Sequence, residues 1–177
     1  MEKVILVDAQ DREVGVEEKL KAHLSGKLHR AVSVFIFNKQ GEMLLQQRAF
    51  SKYHSGGLWS NTCCGHPRPC ETPIEAAERR LWEEMGIRTS INKLFDFTYR
   101  VELDKGLIEH EFDHVFHGEF EGVFEANPQE VAAWKWMSMQ DLEKALETES
   151  GHFTYWFKLI FPRISLAGKP FLLSLAN

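Results

Sequence analysis

Residues 32–37 form an apolar run of β-branched and aromatic side chains broken only by Ser33, and the pattern resumes at residues 43–49. Asn38-Lys39-Gln40-Gly41 separates the two runs, so the pair predicts a β-hairpin. Residues 4–7 predict a short strand followed by a turn at 8–12, and another strand is expected near 59–63. The polar stretch 17–23 reads as helical or irregular. Helical periodicity is clearest over Pro73–Met85, where Ile74, Ala77, Leu81 and Met85 make the buried stripe. Thr72 caps this helix, Glu75 completes a capping box, Pro73 suits the first turn and Gly86 supplies the left-handed stop. Arg80 and Glu84 lie one turn apart on its flank.

Two longer strands are expected at 95–103 and 107–120, around a turn at Asp104-Lys105-Gly106. On the second, the two-residue period puts Glu109, Glu111 and Asp113 on one face and His110, Phe112 and His114 on the other. Val131–Met137 reads as a strand. Ser138 to Asp141 opens a helix carrying Leu142, Ala145 and Leu146, and a last helix begins at 155–160. Strands and helices mix without regular βαβ alternation, which predicts an α/β (α+β) domain, an α/β/α sandwich with a mixed sheet.

Composition narrows the setting. A chain of 177 residues suits one domain with a sizeable core, and no repeat or linker divides it. A net charge of −5 gives no reason to expect nucleic acid as a partner, so any polyanionic ligand needs individually placed cations. The first residues are too few and too acidic for a secretory signal, and no apolar run reaches the length of a membrane span. Cys63, Cys64 and Cys70 do not form a disulfide pattern. Free thiols in the cytoplasm are the expectation.

Several residues could carry chemistry. Glu109 and Glu111 repel each other unless a cation sits between them, although a Glu-x-Glu pair is more often a solvated strand face. With His23, His29 and His66 they make a donor set suited to Mg²⁺, Mn²⁺ or Zn²⁺, whereas the first two histidines alone would read as surface residues. Cys64 could be an inert buried thiol, part of a zinc knuckle with Cys63, His66 and Cys70, or a proton-exchanging group near a metal. Lys19, Arg48, Lys52 and Arg80 are candidate phosphate cations or ordinary surface ion pairs. Trp59, Tyr99, Tyr155 and Trp156 are core aromatics or faces for a developing cation.

From Gly65 the chain runs five residues to Glu71, seven to Arg79, then Leu81, Glu83-Glu84, Gly86 and Ile87. That is the spacing of a Nudix box, except that Arg80 stands where a hydrolase carries a metal-binding Glu. The string Trp59-Ser60-Asn61-Thr62-Cys63-Cys64-Gly65-His66-Pro67, joined to Glu109-His110-Glu111, resembles the type 1 isopentenyl-diphosphate isomerases, a non-hydrolytic Nudix branch. The likeness extends over nearly the whole length, through Lys19 to His23, Leu28-His29, Arg48 to Lys52, Tyr99-Arg100 and Trp156. It implies interconversion of isopentenyl and dimethylallyl diphosphate, with Cys64 and Glu111 as the acid–base pair. Tyr99 would assist Glu111, and Trp156 would face the cation-like state. It further implies a cation held by His23, His29, His66, Glu109 and Glu111, and Mg²⁺ held with the substrate by Glu84 and the Cys64 carbonyl. Lys19, Arg48, Lys52 and Arg80 would bind the phosphates. The same resemblance implies residues 1–29 as an extension that contributes metal ligands to a core over 30–162. A monomer acting on a small diphosphate, with no membrane or nucleic-acid partner, completes the expectation. The His23–His29 interval and the loop Tyr53-His54-Ser55-Gly56-Gly57 depart from the family pattern. A Nudix hydrolase of a diphosphate compound and a non-enzymatic metal-binding module are the alternatives.

Overall fold

The computed structural model describes residues 2–167. Its spine is β3 (His29–Phe37), which pairs in parallel along its full length with β8 (Ile108–Glu119). The other edge of β3 meets three partners in succession. β1 (Lys3–Val7) touches it at His29, β6 (Cys63–Gly65) pairs with Val32, Ser33 and Val34, and β4 (Met43–Arg48) meets it at Phe37. β7 (Ile91–Glu102) lies antiparallel to β8, while β9 (Val131–Met137) and the short β5 (Trp59–Ser60) flank β4. β2 (Glu13–Glu18) closes the edge beyond β1.

Alternation along β3 distributes its apolar run to both faces. Val32, Val34 and Ile36 pack with Ala76, Ala77, Leu81 and Met85 of α2 (Pro73–Met85). Phe35 and Phe37 pack on the opposite face with Leu142 of α3 (Met139–Thr148) and with Phe157, Ile160 and Phe161 of α4 (Tyr155–Ala167). The sheet is thus covered by helices on both sides, and the expected α/β/α sandwich with a mixed sheet is what forms. The short α1 (Lys19–Ser25) follows β2 directly and ends at Gly26, whose φ of 61° is left-handed.

Several expectations need correction. The hairpin over 32–37 and 43–49 shares only the Phe37–Met43 pair. Thr62 is wedged between the two strands, its hydroxyl accepting from the Ile36 amide at 2.9 Å and donating to the Leu44 carbonyl at 2.7 Å. For the same reason the strand expected at 59–63 is two pieces, β5 and β6, on either side of that wedge. The stretch 17–23 divides between β2 and α1. β2 left no sequence signal because it is a polar edge strand whose Val14 and Val16 remain exposed. β7 starts at Ile91 rather than 95, interrupted by a register shift between Lys93 and Phe95. On α2, Ile74 is only half-buried and Ala76 takes its place in the stripe.

Candidate active site

Four separate segments deliver the acidic and imidazole groups to one point. α1 carries His23, β3 begins with His29, the strand end after β6 carries His66, and β8 supplies Glu109 and Glu111. One ligand atom from each of the five lies within 4.8 Å of all the others, and all five residues are buried. This overturns both the solvated strand face and the surface histidines. The two N-terminal imidazoles are oriented by the backbone: His23 Nδ1 lies 2.7 Å from the Lys19 carbonyl and His29 Nδ1 lies 2.8 Å from the Lys27 carbonyl. A carbonyl accepts only, so Nδ1 carries a proton and Nε2 is the nitrogen turned toward Glu109 and Glu111. Both Nε2 atoms, His66 Nδ1 and Glu109 Oε2 are buried without a hydrogen bond. Unpartnered ligand atoms of this chemistry fit a divalent cation, which could satisfy His23 Nε2, His29 Nε2 and Glu109 Oε2 together, while His66 Nε2 lies 2.9 Å from Glu111 Oε1.

The two carboxylates differ in proton affinity. Burial, reinforced by the charge of Glu111, raises Glu109 to about 7. Burial acts the same way on Glu111, but His29 and His66 outweigh it and hold that carboxyl well below its usual range. Burial also brings His66 down to about 3. Tyr99 donates its hydroxyl to Glu111 Oε2 at 2.6 Å, and burial beside these acids keeps the phenol protonated.

Cys63 and Cys64 are successive residues of β6 and therefore face opposite ways. Cys63 is buried against α2, whereas half-buried Cys64 lines a cavity of about 260 Å³. Cys70 is exposed, so no zinc knuckle forms from these residues. Burial, with Asp113 and Glu84 nearby, pushes the Cys64 thiol up to about 12. Cys64 and Glu111 reach the cavity from strands on opposite edges of β3. Trp156, at the start of α4, lines the same cavity. Its N–H donates to Ser60 Oγ at 2.9 Å, and the Arg48 guanidinium lies 5.2 Å from its ring centre. Tyr155 is exposed at 40%, and Trp59 stacks with the Lys135 ammonium; neither lines the cavity.

Lys19, Arg48, Lys52 and Arg80 also line the cavity. Lys19 pairs with Glu2 at 3.0 Å, Lys52 with Glu130, and Arg80 with Glu83, Glu84 and Glu130. Arg48 Nε is buried with no partner. Gly65 is required by this crowding, because a Cβ there would lie 2.7 Å from Cγ of Arg80.

Residues 27–157 match the NUDIX domain family. The chain is 51% identical over 161 residues to an isopentenyl-diphosphate Delta-isomerase of Pectobacterium atrosepticum, covering 91% of this chain and 90% of the relative. It is 48% identical over 165 residues to one of Burkholderia multivorans, covering 93% and 94%. The chain belongs to the Nudix isopentenyl-diphosphate Delta-isomerase family. Among solved structures, DR0079 from Deinococcus radiodurans superposes with a TM-score of 0.75 at 20% identity, covering 92% of this chain and 98% of that one. A MutT protein from Methanosarcina mazei Go1 gives 0.66 at 24% identity over 80% and 96%. These two likenesses concern the fold alone. Nudix enzymes use divalent metals, and the five-residue cluster is a group able to hold one.

Several residues bonded to this cluster or to the cavity's cations have no signal in the sequence. His54 is buried, with Nε2 3.3 Å from Glu109 Oε1, and lies in the loop set apart as a departure from the family. Burial, with Arg48 and His23 adding to it, lowers His54 to about 3, so its ring is neutral. Glu130 joins Lys52 to Arg80 from the start of β9, and Gln46 donates to Glu84 Oε2 at 2.6 Å. No local pattern marks Glu130 or Gln46. Asn61 and its partners Ser60, Cys63 and Cys64 stand inside the motif, but the bonds between them have no signature in sequence.

Proposed function

We propose that this chain interconverts isopentenyl and dimethylallyl diphosphate by moving a proton on at one carbon and off at another. The observation that supports it best is one cavity lined together by a thiol, a buried carboxyl, an indole and four cations. The four cations Lys19, Arg48, Lys52 and Arg80 would take the diphosphate, with Lys19, Lys52 and Arg80 exchanging their present carboxylate partners for phosphate oxygens and Arg48 offering its unpartnered Nε. That fixes the hydrocarbon end against Cys64, Tyr99, Glu111 and Trp156. An unactivated alkene needs an acid on one side and a base on the other, in a pocket that excludes water. Cys64 and Glu111 fill these two roles from opposite edges of β3. Tyr99, bonded to Glu111, passes or steadies the proton there. The Trp156 ring offers a π face to the positive charge that develops in between.

His23, His29, His66, Glu109 and Glu111 would hold Mn²⁺ (or Mg²⁺ or Zn²⁺), and Glu84 with the Cys64 carbonyl would hold Mg²⁺ accompanying the diphosphate. A cation in the first site supplies charge that lowers the proton affinity of Glu111 when bound. Residues 1–29 act in this reading as an extension that supplies His23 and His29 to the core at 30–162. The protein is taken as a cytoplasmic monomer, consistent with three free cysteines; among the described residues no helix is long and apolar enough to cross a membrane.

Incubation with isopentenyl diphosphate and Mg²⁺ should yield dimethylallyl diphosphate by proton NMR. Absence of product overturns the reading, and release of phosphate favours hydrolysis in its place. Cys64→Ala and Glu111→Gln should each lower kcat by at least about 100-fold, the low end of what a positioned acid or base contributes. Glu111→Gln should also reduce the metal content measured by elemental analysis.

A further inference from the structure

Asn61 is fully buried and makes four hydrogen bonds, the complete capacity of a carboxamide with two donors and two acceptor positions. Its Nδ2 donates to the Val34 carbonyl at 3.1 Å and to the Cys63 carbonyl at 2.8 Å. These two acceptors settle which end of the amide is nitrogen, since the reverse orientation would set three oxygens against one another. Oδ1 is therefore turned toward the cavity wall. There it accepts from Cys64 Sγ at 3.1 Å and from Ser60 Oγ at 3.0 Å. The Ser60 hydroxyl in turn accepts the Trp156 indole N–H at 2.9 Å and lies 2.9 Å from Thr154 Oγ1. One amide anchored to the backbone of β3 and β6 thus reaches both the thiol and the indole.

We infer that Asn61 is a positioning residue that holds Cys64 and Trp156 in one rigid frame around the hydrocarbon end of the substrate. The inference rests on the isomerase reading for its catalytic consequence, but the frame itself belongs to the free protein. Neither side chain of similar shape fits the place. Aspartate lacks the two donors that the carbonyls require, and leucine, of similar shape, leaves both carbonyls and the Ser60–Cys64 side unpaired. The frame also accounts for the short spacing of the motif: Ser60, Asn61 and Cys64 must share one turn of chain to close the network.

The geometry matters because proton transfer to and from carbon requires near-contact alignment. A misplacement of about 1 Å can lower the rate about 100-fold without weakening ground-state binding. The diphosphate cations are not bonded to Asn61, so substrate affinity should be unaffected by its loss.

The test uses Asn61→Ala and Ser60→Ala in the full-length, metal-loaded protein. Asn61→Ala should lower kcat about 100-fold with KM changed less than threefold. Ser60→Ala, which leaves both Asn61–carbonyl bonds in place and so guards against simple misfolding, should lower kcat about tenfold with the same unchanged KM. In the unliganded protein, the Trp156 indole N–H resonance, assigned by its disappearance in Trp156→Phe, should shift in Ser60→Ala. Folded variants with kcat within threefold of the parent overturn the inference. So does an unmoved indole resonance in Ser60→Ala, which would show that the hydroxyl does not hold the ring. A parent protein without turnover would instead defeat the isomerase reading, while the resonance experiment would still decide whether the frame exists.

Discussion

Glu109 and Glu111 stand two positions apart on β8 and share a face, yet their proton affinities are driven in opposite directions. Glu109 is raised to about 7 by burial and by Glu111, while the neighbouring imidazoles of His29 and His66 outweigh burial and hold Glu111 low. A raised folded-state value means that protonated Glu109 favours the metal-free fold below the ordinary carboxylate range, and this contribution is lost as pH rises through about 7. A cation needs the ionised form, so protons compete with it below that pH. Metal affinity measured by calorimetry should therefore climb between pH 5.5 and about 7 and then level off. Against the effect of burial, Glu109 raises the proton affinity of His23, which must also give up a proton, so buffers of different ionisation heat should reveal more proton release per cation bound at pH 6 than at pH 8. A flat affinity over this range would contradict the assignment of Glu109 as a ligand. The carboxylates, the cysteine and the histidines were all legible as chemistry in the sequence, because only a few residue types can do it. His54 and Glu130 were not, since their roles come from neighbours 55 and 78 positions away in the chain, Glu109 and Lys52.

At the level of elements, α2 is determined almost entirely by local sequence. Its start at Pro73 and end at Met85 coincide with the expected bounds because both caps act within a few residues. Thr72 Oγ1 accepts from the Glu75 amide and Glu75 returns a bond to the Thr72 amide. Thr72→Ala should lower stability by about 1 kcal/mol in denaturant unfolding. Gly86→Ala should lower it by about 1–3 kcal/mol, because φ is +67°. A Cβ there would also come within 2.6 Å of the Glu125 carbonyl oxygen, so the larger loss is expected of the two. The β3–β4 hairpin is the opposite case. Its polar turn is real, but whether the flanking strands pair depends on the segment around Thr62, which arrives from later in the chain and separates them.

The whole molecule meets at the five-ligand cluster. β1, β2 and α1 join the rest through the β1–β3 pair at Leu6 and His29, the packing of α1 on β8, and the ion pairs of Asp11 with Arg30 and His114. A cation linking His23 to Glu109 and Glu111 would tie that N-terminal layer to the sheet. Chelation should therefore lower the thermal midpoint, since a ligand at 100 times its Kd stabilises the native state by about 2.7 kcal/mol. Hydrogen exchange should quicken first in Lys19–Ser25, ahead of β3 and β8. Uniform quickening across the sheet would mean that the cation stabilises the fold without this link. The sequence by itself determined which groups are available, where the capped helix lies and that apolar runs form a two-sided sheet, because these follow from side-chain chemistry and short-range periodicity. Only the tertiary structure decided that five ligand atoms from four segments converge and that Asn61 spends its whole hydrogen-bonding capacity between the thiol and the indole. Those facts depend on strand order and register, which bring distant residues within bonding distance and have no local signature.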